Sequence, residues 1–286
     1  MFVWSKLSSK KWADAWEERF QSNIATNMVI TEIAGGKTIR VEVYCEKKKE
    51  ADEIKKLFGG SIRELKNQNW AAMAPPPAVP IKIRDVMIVF PGADPKRIAA
   101  LEQEFPKRPV LAIPPALAFG TGDHATTSTC LRLLADLAAT KKKAGKSWSM
   151  LDAGCGTGIL AIAAGKLGAE KIEGFDFDPH AVKNAKKNAK ANRAAKTVLF
   201  DERDVLIWKP ERGEKWDCIC ANLFSTVLEQ AFPTLVKALA KDGRLIISGI
   251  LKDHADSCLA AGEKAGLHFE KIIRKGKWVT ALAVHA

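Results

Sequence analysis

Several signatures are missing from this 286-residue chain, and each absence removes a class of function. Nothing in it resembles a membrane span, because proline and glycine interrupt the longest uncharged stretch, around Val110 to Gly122. The opening "MFVWSKLSSKKW" lacks the long apolar core of a secretory signal, so a cytoplasmic protein with no membrane partner is expected. Six cysteines lie scattered without paired spacing, apart from Cys218 and Cys220. Those two alternate along an apolar run and read as buried free thiols, so neither a disulfide framework nor a metal site is expected. No internal repeat is present. With 47% hydrophobic residues, the chain can bury one large domain, or one domain plus a small one.

The net charge of +12 raises the question of nucleic acid, but the excess is diffuse. Residues 1–68 carry 13 basic and 10 acidic side chains. The densest basic run, Lys183 to Lys196, has helical spacing, with Ala181, Val182, Ala185 and Ala189 on one small-residue face and lysines on the other. That pattern describes a solvated helix face and leaves room only for weak contact with RNA or a ribosomal surface.

Composition breaks at Met73 to Pro80, "MAPPPAVP", which suits neither a helix interior nor a central strand. Three segments follow from that break: a small α+β domain over 1–68, a proline-containing linker over 69–110, and a larger domain over 111–286. In the first, Trp12 to Phe20 and Glu50 to Phe58 read as helices, the second stopped by Gly59-Gly60. Met28 to Ile33 and Thr38 to Cys45 read as strands around Gly35-Gly36. In the last, strands at 149–153, 171–175, 198–200, 216–221 and 244–248 are interleaved with helices at 159–167, 179–191 and 225–239. A closing hairpin spans 267–284. Such alternation predicts an α/β, Rossmann-like fold: a seven-stranded, mostly parallel sheet covered on both faces, its last strand antiparallel.

In this architecture ligands sit at the carboxyl ends of the strands, beside the point where strand order reverses. "LDAGCGTGIL" occupies that place after the first strand of the sheet. Gly154, Gly156 and Gly158 allow a tight turn and close approach to a ligand. A dinucleotide fingerprint needs glycine at the sixth position, where this chain has Ile159, and no G-K-[ST] follows for a phosphate loop. Asp176 ends the next strand, about 20 residues on, where a carboxylate can accept both ribose hydroxyls. Asp178, the competing acid, precedes Pro179 and better suits a helix cap. Asp204, after the following strand, either reaches an adenine amino group or is a solvated loop acid. Asp152 points back into the turn and supports it. Together, the G-x-G-x-G loop, the strand-end acid and the βαβ spacing resemble class I S-adenosylmethionine-dependent methyltransferases.

The strand at 216–221 empties into Ala221-Asn222-Leu223-Phe224. Many amide- or base-directed methyltransferases carry N-P-P-Y at this point, and Leu223 replaces its first proline. That substitution argues against a nucleobase or glutamine substrate. Asn222 has an amide oxygen able to accept from a substrate amine or to hold the amino-acid portion of the donor; alternatively it caps the helix beginning near Ser225.

Four motifs, in order, carry a closer resemblance: "LAFGTGDHATTSTCLRLL", "LDAGCGTGILAIAAGKLGAEKIEGFDFDPHAV", "ANLF" and "GRLIISGIL". Over roughly residues 110–255 the chain resembles the bacterial methyltransferases of ribosomal protein L11 (the PrmA family). The resemblance implies a seven-stranded methyltransferase domain behind a small substrate-recognition domain. It also implies S-adenosylmethionine as cofactor and methylation of lysine or α-amino nitrogens on that large-subunit ribosomal protein. The family's donor contacts match Thr127, Gly154, Asp176 and Asn222, with Gly156 and Gly158 completing the loop. Two departures stand out: Ala125 replaces the family's usual proline, and the N-terminal segment is shorter and shares no clear motif. His124, the only histidine in a motif, either relays the substrate proton or fixes its loop by hydrogen bonding. Phe119 and Phe224 either wall the donor and the alkyl part of the substrate or simply pack. Catalytic roles are thus expected for Asn222 and His124.

Overall fold

The structure, a computed structural model, describes residues 2–12, 16, 20, 28–33, 37–45, 47–64, 79–114 and 124–286. The chain divides into two compact units, Met1–Pro77 and Ala78–Ala286.

The first unit holds β1 (Phe2–Ser9), β2 (Met28–Glu32), β3 (Thr38–Cys45), helix α1 (Lys48–Phe58) and β4 (Ser61–Glu64). Its strands form one antiparallel sheet in the order β2-β3-β1-β4. Alternation along β3 explains the packing: Ile39, Val41, Val43 and Cys45 are buried, while the residues between them stay more accessible. Ala51 and Ile54 of α1 close over that face. Trp4, Trp16, Phe20 and Phe58 interlock with ring centroids 5.5–6.3 Å apart. Such pairs add about 0.5–1.5 kcal/mol each beyond the area they bury, a large share for a core this small. Gly59, at φ 68°, ends α1 as its position after the last apolar residue predicts. Of the helix expected over Trp12 to Phe20, Trp16 and Phe20 are helical and Lys10–Trp12 is a 3-10 turn. The rest of that helix, and the Gly35-Gly36 turn, lie outside the described residues.

The second unit opens with β5 (Ile81–Ile83), β6 (Met87–Phe90), α2 (Pro95–Glu104) and β7 (Val110–Ala112). Ordered structure therefore occupies much of the stretch expected to be a linker. The prolines at 75–77 and 80 precede these elements, and β6 is buried at all four residues. Arg84, between β5 and β6, makes a two-pronged ion pair with Asp136 at 3.1 and 3.0 Å.

Then follow α3 (Ala125–Lys143), β8 (Ser149–Ala153), α4 (Ile159–Lys166), β9 (Lys171–Asp176), α5 (Pro179–Ala191), β10 (Val198–Glu202), β11 (Trp216–Asn222), α6 (Ser225–Ala238), β12 (Leu239–Leu251), α7 (Ala255–Lys264), β13 (Leu267–Lys275) and β14 (Trp278–His285). The seven strands β8 to β14 form one sheet in the order β10-β9-β8-β11-β12-β14-β13. Only β14 runs against its neighbours. The expected Rossmann-like, mostly parallel sheet is present.

Residues along these strands alternate between two cores, which is why the strands read as continuous apolar runs. Met150, Cys218, Cys220 and Ile246 face α3, α4 and α5, whereas Leu151, Ile219, Ala221 and Ile247 face α6 and α7. Burying each of the larger ones, Met150, Leu151, Ile219, Ile246 and Ile247, contributes about 1.5–3 kcal/mol. All six cysteines are buried free thiols, and burial pushes that of Cys130 up to about 12. Strand order reverses between β8 and β11, so their carboxyl ends, with that of β9, define the crevice in which this architecture places ligands.

Candidate active site

The loop after β8 is built from its own backbone. Gly154, Gly156 and Gly158 have φ of 76°, 52° and 75°, a left-handed region that other residues enter at a cost. A side chain at Gly154 would also collide with Leu223 Cδ2, at 2.3 Å from the added carbon. The amides of Gly154 and Cys155 both donate to Phe175 O, at 2.8 and 2.9 Å, which ties the loop to the end of β9.

Asp176, the last residue of β9, completes this tie. Its Oδ2 accepts from the Gly156 amide at 2.9 Å, and its Oδ1 from the Asp178 amide at 3.0 Å. Burial raises its carboxyl above the ordinary range, opposed by those two amides. Each carboxylate oxygen retains a further acceptor site, so the group can still take a ligand's hydroxyls. Asp178 is occupied as the cap of α5, accepting from His180 N at 2.8 Å. Asp152 lies one strand away, fully buried, and accepts from the Ala161 amide at 3.1 Å, so it supports the first turn of α4. Burial pushes its carboxyl up to about 8, the same amide opposes the shift, and the nearby Asp176 adds to it. Asp204, two residues beyond β10, accepts from Leu206 N at 2.9 Å and shapes a local turn.

The opposite wall is different. α3 begins with four consecutive buried hydroxyl residues, Thr126 to Thr129. Ser128 and Thr129 bond back to Ala125 O at 3.2 and 2.7 Å. Thr126 Oγ1 lies 2.8 Å from His124 Nδ1 and receives Asn222 Nδ2 at 3.4 Å. Thr127 Oγ1 and Asn222 Oδ1 are both buried with no hydrogen-bond partner among the described residues. Leaving such an atom unpaired costs about 1–3 kcal/mol, which makes the two candidates for contact with a ligand. Asn222 is not a helix cap: α6 starts after Phe224, with no side-chain cap.

His124 is the cap of α3, its Nδ1 accepting from the Thr126 amide at 3.4 Å, and its ring meets that of Trp278 edge-on at 5.0 Å between centroids. Phe119, Gly120 and Gly122 lie outside the described residues. What precedes them is firmly held: Asn192 brackets Ala112 with two bonds of 2.8 Å, one to each backbone polar group.

Three contributors escaped the sequence reading. Thr126 joins His124 to Asn222, a link between residues 96 apart in sequence. Gly249, at φ 84°, leaves room for the strand end after β11, because a side chain there would meet Leu223 O at 2.5 Å. Phe177 is 65% exposed directly after Asp176, an unusual position for an aromatic ring; that exposure is visible only in three dimensions.

A model of the ribosomal protein L11 methyltransferase (PrmA) family matches residues 25–285. The chain belongs to this family. The match begins inside the first unit, just ahead of β2, whereas recognisable motifs cover only about 110 to 255. A ribosomal protein L11 methyltransferase of Dictyoglomus turgidum is 31% identical over 236 residues, covering 81% of this chain and 73% of that relative. Its counterpart from Polynucleobacter necessarius is 34% identical over 203 residues, 69% of this chain and 56% of that relative. That from Dechloromonas aromatica is 34% identical over 200 residues, 70% of this chain and 61% of that relative. This chain thus spans less than two thirds of the length of the last two. Among solved structures, a ribosomal protein L11 methylase from Lactobacillus delbrueckii matches with a TM-score of 0.58 at 26% identity, over 72% of this chain and 98% of that one.

Proposed function

We propose that this chain transfers methyl groups from S-adenosylmethionine to amine nitrogens, of lysine side chains or an α-amino terminus, on ribosomal protein L11. The observation that carries the reading is the pair of unpaired buried polar atoms, Thr127 Oγ1 and Asn222 Oδ1, together with a glycine loop tied to a strand-end carboxylate. The residues suit the donor. Asp176 has acceptor capacity for a ribose. Thr127, in the first turn of α3 where the helix dipole is positive, suits a carboxylate. Phe177 and Ile207 are exposed after adjacent strands and offer apolar surface to an adenine, with the second carboxylate oxygen of Asp204 left for its amino group. Phe119 is proposed as a further wall of this pocket.

The bound donor supplies a methyl group on a sulfonium, which a nucleophile takes by in-line displacement, leaving the thioether. The protein's part is alignment and exclusion of water. Asn222 Oδ1 is unpaired and able to accept an N–H, and this favours an amine as the methyl acceptor. A lysine ammonium must first lose a proton, at an ordinary pKa of about 10.4. Desolvation beside a cationic group lowers that value, so a dedicated base is unnecessary. Because His124 Nδ1 is committed to Thr126, any relay through that ring passes by Nε2.

The substrate assignment rests on the relatives, which are named for methylation of ribosomal protein L11. A ribosomal substrate supports a cytoplasmic location. No helix among the described residues is long and apolar enough to cross a membrane. The exposed lysines of α5, Lys183, Lys186, Lys187 and Lys190, support an additional weak, salt-sensitive contact with ribosomal RNA. Calorimetric titration tests the cofactor directly: saturable binding of S-adenosylmethionine and none of NAD is expected, and the reverse result would remove the methyltransferase reading.

A further inference from the structure

Three polar side chains meet at the start of α3, and their bonding has a direction. His124 Nδ1 accepts the Thr126 amide at 3.4 Å as the helix cap, a role that requires the tautomer with its proton on Nε2. The Thr126 hydroxyl, 2.8 Å away, therefore donates to Nδ1. Its oxygen then has only lone pairs to offer Asn222. The side of the amide facing Thr126 must be the NH2 group, in agreement with the Nδ2 to Oγ1 contact of 3.4 Å. Oδ1 is consequently turned to the other side, where it is buried and unpaired. A flipped amide would set an oxygen against an oxygen with no proton between them, so in that tautomer the imidazole decides the orientation through a single hydroxyl.

We infer that Thr126 is a positioning residue for methyl transfer: its hydroxyl selects the orientation of Asn222 that presents a hydrogen-bond acceptor to the reacting amine. The inference rests on the methyl-transfer reading above. It assigns adjacent threonines different tasks. Thr127, whose hydroxyl is unpaired, is left for the donor, whereas the Thr126 hydroxyl is already bonded to His124 and Asn222 and acts through Asn222. Without the hydroxyl, both amide orientations become accessible, and the flipped one points N–H groups at a site that must hold an amine beside a cationic sulfur.

The decisive variants are Thr126→Val, which keeps the shape, and Thr126→Ser, which keeps the hydroxyl. With saturating donor and ribosomal protein L11, Thr126→Val is expected to lower kcat about 30- to 100-fold, the scale for a misplaced reacting group. Affinity for S-adenosylhomocysteine, measured by calorimetry, should change less than about threefold, and Thr126→Ser should recover most of the rate. A valine variant that melts like the wild type and keeps its kcat, or a serine variant as slow as the valine one, overturns the inference. Nitrogen NMR of histidine-labelled wild-type protein provides a test that needs no variant: His124 should be the Nε2–H tautomer. Donor binding combined with an Nδ1–H tautomer overturns the inference alone. A wild-type protein that binds no donor overturns it together with the reading on which it rests.

Discussion

The two walls of the crevice treat their polar atoms in opposite ways. In the loop after β8, Asp152 and Asp176 accept from the amides of Ala161, Gly156 and Asp178, so the turn holds its shape with no ligand. Across from it, Thr127 Oγ1 and Asn222 Oδ1 are buried without partners among the described residues. A self-satisfied wall keeps its shape alone, whereas the unpaired atoms are, in the proposed reading, left for the donor at Thr127 and for the methyl acceptor at Asn222. Binding energy is therefore expected to concentrate at Asp176, and rate acceleration at Asn222.

The largest effect that would break this contrast belongs to Asn222→Ala. Turnover should fall by about 100- to 1,000-fold, the scale for removing one well-aimed polar group from a reacting centre. Donor affinity should fall far less; equal losses in both would make Asn222 a plain cofactor contact. Asp176→Ala should do the converse, weakening donor binding by about 1.5–3 kcal/mol, or roughly 10- to 150-fold, with the rate at saturating donor nearly kept. Unchanged affinity in a calorimetric titration would refute the ribose assignment.

A third, smaller effect separates the two acids. Burial pushes the Asp152 carboxyl from its ordinary 3.8 up to about 8, which favours an extra proton on the folded state between these limits. Its contribution to stability is therefore greatest below about pH 4 and declines as pH rises to about 8. Asp152→Asn, which cannot ionise, should lose that slope, and urea unfolding across the window reads the difference. If wild type and variant show parallel pH profiles, Asp152 is not the buried acid described here. The smallest expected change is for Phe177→Ala, with a loss of about 1 kcal/mol in donor affinity and little in rate, consistent with one stacked base.

The glycine-loop wall was largely legible in the sequence because its parts are local. The loop Gly154 to Gly158, the strand before it and the acid after the next strand lie within about 20 residues, and each requires a particular residue type. Strands β8 to β11 and helices α4 to α6 were readable for the same reason, as apolar runs and faces of fixed period. The opposite wall was only half legible. Asn222 could be placed at a strand end, but its orientation depends on Thr126 and His124, almost a hundred residues earlier, and no spacing rule spans that distance. Short strands escaped too: β5, β6 and β7 have three or four residues each, too few to show a period. β12 runs from Leu239 to Leu251, well beyond the apolar stretch that announced it, because main-chain pairing continues through polar residues. Asp204 lay open to two readings, and the bond from Leu206 gives one oxygen a structural task without deciding the other.

The most direct test of the central claim is mass spectrometry of purified ribosomal protein L11 after incubation with this protein and S-adenosylmethionine. Addition of whole methyl groups to lysine or α-amino nitrogens is predicted, with Asn222→Ala leaving the protein almost unmodified. An L11 mass unchanged by an enzyme that demonstrably binds the donor would contradict the assigned substrate.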